Sequence, residues 1–217
     1  FRFSAGTAGT WTMTQSSDVP TGYGFANSLK LDCTTANGSL SAGSDMSLQY
    51  KLEGQDVQTL RKGTSSAVPV TLSFWVKSTK TGTFICELHD LDNSRNISQA
   101  YTVSSSNTWE KKELTFVGDT TGALNDDNGE SLRVQFHLVA GTTYTSGTLA
   151  TSWVSPTSAN RIVGQVNIAD STSNDWLLTG VQLEIGEKAT EFSHEPYSVT
   201  LLKAQRYYQA ENYADHY

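Results

Sequence analysis

The chain has 217 residues, a formal net charge of −7 at pH 7 and 10% aromatic residues. The acidic balance argues against a nucleic-acid groove, which needs a basic stripe for the phosphates, and the sequence has no run of about 18 apolar residues that could span a membrane. Because aromatic and apolar residues recur along the whole chain, the composition indicates a folded domain rather than disorder.

Apolar and polar residues alternate with a period of two along most of the chain, which predicts β-strands. In chain order, the clearest strands are 28–33, 46–54, 70–78, 83–90, 98–104, 108–116, 131–141 and 176–186. Turn clusters rich in Gly, Asn, Asp, Ser and Thr separate them. Only residues 198–213 have helical spacing, with Leu201, Ala204 or Gln205, and Tyr208 on one face.

Eight strands without intervening helices predict an all-β fold, a two-sheet antiparallel β-sandwich of the jelly-roll type. We expect the sandwich to occupy residues 1–197 and a short helical tail to occupy 198–217. Successive jelly-roll strands tend to alternate between the sheets. This rule places strands 46–54, 83–90 and 131–141 in one sheet, and 28–33, 70–78, 108–116 and 176–186 in the other.

The inward phase of these strands predicts the core. We expect the buried residues to include Leu48, Leu72, Phe74, Phe84, Leu88, Val134, Phe136, Val181 and Leu183. Cys33 and Cys86 also fall on inward phases, and we expect both to be buried, reduced thiols.

The outward phase of three strands in the first sheet is polar. Its members are Gln49, Glu87, His89, Arg133, Gln135 and His137. Side chains of these types can satisfy sugar hydroxyls, which both donate and accept hydrogen bonds, so this face is the main candidate for carbohydrate binding. Two other interpretations stay open: a face that is merely solvated, and a face buried against another subunit.

A long predicted loop, 141–161, contains Tyr144 and Trp153. Long loops in compact domains are often functional, and an aromatic ring can stack on the apolar face of a sugar. Tyr144 and Trp153 are therefore candidates for the rim of a binding site, with packing against the sandwich as the alternative.

Five segments resemble a known family when they are taken together and in order: 50–67, 70–78, 107–116, 160–176 and 181–192. They resemble a module of tailed-phage virion proteins, especially tail fibres and related receptor-binding or decoration proteins. The same pattern resembles jelly-roll carbohydrate-binding modules of the galactose-binding-like class. Its most specific part is VQLEIGEKATEF (181–192) followed by QRYYQ (205–209); the phage pattern usually has a Cys where this chain has Ala204.

The resemblance implies a non-catalytic module on a virion surface or in another extracellular setting. It implies a glycan or host-surface receptor and other virion proteins as partners, and it is compatible with a homotrimer. We expect no cofactor, although modules of this class frequently hold a structural calcium. The fold alone does not determine the ligand. The alternative from the same family is a structural capsid or tail decoration protein without glycan binding.

Catalysis is not expected, although one motif suggests it. Arg133, Gln135 and His137 are similar to the Gln-x-His strand of jelly-roll polysaccharide lyases, which neutralise a uronate carboxylate and remove a proton. The late strand 176–186 has no tyrosine to complete that set, so the lyase is the less favoured alternative. A glycosidase needs two facing carboxylates, whereas Glu87 and Asp90 lie on opposite faces of their strand.

Two acidic loops, 90–93 and 125–128, have two interpretations. Their Asp and Asn oxygens could hold a structural calcium, or the same residues could simply form turns. We favour turns and predict no metal site.

Overall fold

The computed structural model describes residues 2–4 and 6–207. The strands in this part of the chain are β1 (Arg2–Ser4), β2 (Thr10–Ser16), β3 (Ser28–Thr35), β4 (Asp45–Glu53), β5 (Val70–Ser78), β6 (Gly82–Asp90), β7 (Arg95–Val103), β8 (Glu110–Phe116), β9 (Glu130–Ala140) and β10 (Asp175–Ile185). The α-helices are α1 (Thr142–Thr145) and α2 (Tyr197–Gln205), and single 3₁₀ turns lie at 54–56, 58–60, 158–160 and 168–170. No helix in the described residues is long and apolar enough to cross a membrane.

The strands form two antiparallel five-stranded sheets. Sheet A has the order β1-β4-β9-β6-β7, and sheet B has the order β2-β3-β10-β5-β8. Strands β3 to β10 follow the jelly-roll order, with β1 and β2 each adding one edge strand. The predicted division of the strands between the two sheets is confirmed for all seven strands to which it was applied.

The two inner faces form one apolar core, as the period-two pattern requires. At its centre, the rings of Phe74 and Phe136 pack edge to face, with centroids 5.0 Å apart, and Trp176 lies beside Phe136. The predicted core residues are buried, except that Val181 and Leu183 are only partly buried at its margin. Val181 lies within an irregularity of β10 between Thr179 and Gln182, where the pairing with β5 shifts register.

Both cysteines are buried and neither forms a disulfide, as predicted. Desolvation raises the pKa of each thiol, well above its usual value for Cys86. The reactive thiolate is therefore disfavoured at both positions.

Helix α2 confirms helical structure after the sandwich, but it ends at Gln205. All of its residues are exposed, and Arg206 just after it donates to Glu53 at 2.6 Å. Residues 208–213, including Tyr208 of the predicted helical face, lie outside the described residues.

Candidate functional site

The six polar residues predicted to share one face do lie together on sheet A. Strands β4, β9 and β6 are neighbours, and Gln135 stands directly opposite both Gln49 and Glu87. Arg133 is likewise opposite His89. The alternation argument therefore correctly predicts their mutual placement.

Segment 141–170 folds back onto sheet A and covers much of this outer face. Asn96 and Val154 exchange two backbone hydrogen bonds, and Ser98 N–H donates to the carbonyl of Ala150, so the segment first pairs with the edge of β7. The hydroxyl of Ser98 then donates to the carbonyl of Arg161 at 2.8 Å.

Glu87 is the centre of the covered region. Its carboxylate accepts two hydrogen bonds from Arg161, at 2.8 and 2.6 Å, one from Gln135 at 2.8 Å and one from His137 at 3.1 Å. Burial by itself raises the pKa of Glu87, but hydrogen bonds and charges from His137 and Arg161 outweigh it and lower the pKa to about 2. The carboxylate is therefore ionised, and its charge is stabilised by these hydrogen bonds and by the guanidinium of Arg161.

The expectation that Glu87, Gln135 and His137 face solvent is wrong. Glu87 is 0%, His137 2% and Gln135 3% exposed, because Arg161 comes from a distant segment and closes over the carboxylate. In this conformation a polymer cannot reach Gln135 or His137, so the arrangement does not offer the side chains that a lyase would use.

Gln49, His89 and Arg133 lie at the margin of the covered region and remain partly exposed. The guanidinium of Arg133 pairs with Glu130, which also accepts from Lys51 at 2.5 Å. Burial lowers the pKa of His89. None of these three side chains lines any of the three clefts described for the molecule. Glycan binding by this face stays a prediction.

The two loop aromatics belong to segment 141–170, which covers this face. Trp153 is packed against the core; its indole N–H donates to the carbonyl of Val117 at 2.7 Å, and its ring lies 5.2 Å from Lys62 Nζ. Tyr144 lies in α1, half-buried, and its carbonyl accepts from Ile162 N–H. Trp153 therefore fits the alternative interpretation, in which a loop aromatic packs against the sandwich.

Asp90, Asp92 and Asp127 in the acidic loops accept hydrogen bonds from protein groups. Lys62 Nζ pairs with Asp90, lies 3.0 Å from Asp119 Oδ2, and donates to the carbonyls of Thr121 and Gly122. Asp92 accepts from Asn125 at 2.9 and 3.0 Å. In the described part of the chain, no group of three or more His, Cys, Asp or Glu side chains is placed to hold a metal ion.

A different surface has the geometry of a binding site. A cleft of about 630 Å³ opens on the outer face of sheet B, and we call it the aromatic cleft. It is lined by Gly22, Tyr23, Gly24, Phe25, Ser73, Trp75, Lys111, Gly180, Glu191, Phe192 and His194. Ser73, Trp75, Lys111 and Gly180 belong to the sheet and form its floor.

The first wall of the aromatic cleft is the connection between β2 and β3, which crosses the outer face of sheet B. Asp18 anchors it by accepting from Lys77 Nζ at 2.6 Å and from the Trp109 indole at 2.9 Å. Tyr23 then lies against Trp75, with ring centroids 4.3 Å apart and planes at 48°. Two aromatic rings therefore line one side of the cleft.

The second wall is the segment after β10. Gln182 of β10 accepts from Ser193 N–H at 2.8 Å, and Glu184 accepts from Thr190. His194 Nε2 donates to the carbonyl of Tyr23 at 3.0 Å and so joins the two walls. Phe192 and Phe25 pack edge to face at 5.1 Å beneath this contact.

Gly180 allows Phe25 to occupy this position. Its backbone has φ +59°, and a Cβ at position 180 would lie 2.5 Å from Phe25 Cζ. The left-handed conformation and the missing side chain are both properties that favour glycine. The irregularity in β10 therefore makes room for the aromatic wall.

The lining of the aromatic cleft combines flat rings with mixed polar groups. Tyr23 is 53% exposed and Trp75 is half-buried. Lys111 supplies a donor, Glu191 an acceptor, and Ser73 can do both. Of these lining residues the sequence indicates only the direction of Trp75, which stands between the inward Phe74 and Val76 and is therefore predicted to point away from the core. The residues of the two walls could have been suspected because they place aromatic residues in stretches without strand periodicity. These stretches are Gly-Tyr-Gly-Phe at 22–25 and Phe-Ser-His at 192–194.

Comparison with known proteins gives structural neighbours only. No family model matches the chain, and no curated protein matches its sequence. The enzymatically active domain of bacteriophage CBA120 tailspike protein 4 is 15% identical with a TM-score of 0.43, over 84% of this chain and 19% of that one. The family 11 carbohydrate-binding module of a cellulosomal cellulase of Clostridium thermocellum is 12% identical with a TM-score of 0.42. The match covers 87% of this chain and 89% of that one.

A third neighbour is a CBM22-1 xylan-binding domain from Paenibacillus barcinonensis, which is 13% identical with a TM-score of 0.38, over 86% of this chain and 87% of that one. The solved structures similar to this chain thus include a phage tailspike domain and carbohydrate-binding modules.

Proposed function

We propose that this chain is a non-catalytic glycan-binding module of a virion or other extracellular surface, and that the aromatic cleft holds the sugar. The observation that carries the proposal is Tyr23, exposed and lying against Trp75 in a cleft with polar groups around it. The virion setting is supported by the sequence resemblance to tail-fibre and decoration proteins.

The chemistry of the cleft fits a pyranose ring. One face of such a ring presents C–H groups, which gain from burial against an aromatic surface. Its hydroxyls need donors and acceptors in close proximity, and Ser73, Lys111 and Glu191 supply both. A volume of about 630 Å³ lies within the usual range for small-ligand sites.

The charges near the cleft favour a neutral sugar. Lys111 is the cation on the floor, and it is paired with Glu113 at 2.9 Å. Glu191 adds a negative charge to the rim, and the whole chain carries −7. A polyanionic glycan would therefore meet net repulsion, while hydroxyl groups would not.

A glycan array followed by calorimetry on the best hit tests the proposal. Tyr23→Ala should weaken binding roughly 10- to 100-fold, since it removes an exposed ring whose burial stabilises the complex by about 1.5–3 kcal/mol. The matched control is Tyr197→Ala, which removes an exposed tyrosine on α2, outside the cleft.

Two results contradict the proposal in different ways. Binding that is lost in Arg133→Ala and kept in Tyr23→Ala would place the sugar on sheet A. An array without any hit, together with a calorimetric trace equal to buffer, would favour the structural decoration protein.

A further inference from the structure

The two walls of the aromatic cleft meet at one end, above β10. His194 Nε2 and the carbonyl of Tyr23 form a hydrogen bond of 3.0 Å between the walls. The rings of Phe25, Phe192 and His194 pack against one another, with centroid distances of 4.9 to 5.2 Å. This cluster lies on β10, because Phe25 occupies the space directly over Gly180. The cleft is therefore closed at its β10 end.

Both walls are also tied to β10 on that side. The carbonyl of Asn27, at the end of the first wall, accepts from Thr179 Oγ1 at 2.9 Å, so the first wall crosses β10 before the chain enters β3. On the second wall, Ser193 N–H donates to Gln182, and Gln182 Nε2 donates to Thr190 Oγ1 at 3.3 Å. Because hydrogen bonds join wall to sheet at these contacts, a sugar chain cannot pass between them.

The opposite end of the cleft faces β8, which is an edge strand of sheet B. In register, Lys111 lies opposite Trp75 and Glu113 lies opposite Ser73, so both charged side chains stand on the outer face beside the floor of the cleft. They are paired with each other at 2.9 Å, and their side chains are 37% and 48% exposed.

Among the described residues, hydrogen bonds join the walls to this edge only near its two ends. Asp18 of the first wall accepts from the Trp109 indole just before β8. The carbonyl of Glu187, on the second wall, accepts from the Thr115 hydroxyl at 3.3 Å. Glu113 lies between these two contacts, so the cleft opens to solvent over the middle of β8.

We propose that the aromatic cleft recognises the end of a neutral glycan chain: one terminal sugar residue lies on the Tyr23–Trp75 rings, and the next residue passes out over β8. This inference rests on the proposed function and goes beyond it, because a cleft with one closed end cannot hold the interior of a polymer. The two rings lie 4.3 Å apart and form a single surface. The Glu113 carboxylate, outside the lining of the cleft, accepts from hydroxyls of the second residue.

Calorimetry with neutral oligosaccharides tests the chain-end site. The probes are xylo-, manno-, cello- and galacto-oligosaccharides of two and of six residues, together with a soluble polysaccharide of each type. We expect at least one series to bind. Within it, the two chain lengths should have affinities that agree within about threefold, because only the last two residues touch the protein. One protein should bind per polysaccharide chain.

Glu113→Ala tests the exit over β8. It should weaken binding of the two-residue and six-residue sugars alike by about 3- to 10-fold, since it removes one hydrogen bond to the second residue. Binding of the monosaccharide, followed by NMR titration, should keep its affinity. The matched control is Asp32→Ala, which removes a 44% exposed carboxylate paired with Lys30 on the same sheet but outside the cleft. Circular dichroism establishes that each variant is folded.

The possible failures are distinguishable. Affinity that rises steeply with chain length, or several proteins bound along one polysaccharide chain, overturns the chain-end site and leaves the proposed function standing. No binding in any of the four series counts against the proposed function, and the chain-end site fails with it. Equal losses for monosaccharide and disaccharide in Glu113→Ala, or no loss in either, overturn the exit over β8.

Discussion

Arg161 and Glu87, 74 residues apart in the sequence, are joined by two hydrogen bonds of 2.8 and 2.6 Å. The guanidinium belongs to segment 141–170, which contributes no strand to either sheet, and the carboxylate belongs to the middle of sheet A. The contact therefore fixes segment 141–170 over the sheet, and the polar face beneath it is part of the folded interior.

Replacing Arg161 by Met should destabilise the fold by about 3–5 kcal/mol, because it leaves Glu87 buried without its main counter-charge. Urea denaturation gives the free energy of unfolding. The double variant Arg161→Met, Glu87→Gln should recover part of the loss, since no buried charge then remains. Lys203→Met is the exposed control: its pair with Glu195 is solvated, so the change should cost at most about 1 kcal/mol. Equal losses in Arg161→Met and Lys203→Met would mean that the buried pair does not stabilise the fold.

Lowering the pH should remove the contribution of the Glu87 carboxylate to the free energy of unfolding. Its pKa is about 2 in the folded chain and 4.5 when unperturbed, so the unfolded state takes up the proton first as the pH falls. The stabilisation is complete above about pH 4.5 and is lost as the pH falls towards about 2, amounting to about 3 kcal/mol. The measurement is the stability difference between the wild-type chain and Glu87→Gln, which should narrow over this interval. A constant difference from pH 6 to pH 2 is the contrary result.

Phe136→Ala should cost about 3–5 kcal/mol by opening a cavity. Phe136 is fully buried, and its ring contacts those of Phe74 and Trp176. Denaturant unfolding measures the loss, and Phe136→Leu should show a smaller one because it keeps most of the volume. Wild-type stability in Phe136→Ala would contradict the packing described for the core.

Gly180→Ala should impair the aromatic cleft more than the fold. A Cβ there collides with the ring of Phe25 in a left-handed backbone conformation, which should cost about 1–3 kcal/mol and displace the first wall. Fluorescence of Trp75 reports its contact with Tyr23, and calorimetry reports glycan affinity. Gly186→Ala is the control, because that position also has positive φ but has open space around it. Identical behaviour of the two variants would assign the effect to backbone strain alone.

The sheets could be predicted from the sequence because side-chain direction alternates along every strand. That rule correctly grouped Gln49, Glu87 and Gln135 in one row across three strands. It could not place Arg161, since a segment without periodicity is positioned only by its tertiary contacts. The assumption that an outward residue is an exposed one failed for this reason.

The aromatic cleft could not be predicted from the sequence for a related reason. Tyr23 and His194 are 171 residues apart and neither lies in a strand, yet the carbonyl of one accepts from the ring of the other. No periodic pattern relates such positions. Trp75 was predicted to point outward, but alternation alone does not reveal which side chain will cover it.

The walls of the aromatic cleft lie outside the strands, in the stretches 22–25 and 191–194, while its floor belongs to the sheet. Substitutions in these two short stretches can alter the shape and charge of the cleft without touching a residue of the sandwich core. Under the proposed function, changes at the exposed residues Tyr23 and Glu191 would therefore alter what the cleft binds at little cost in folding.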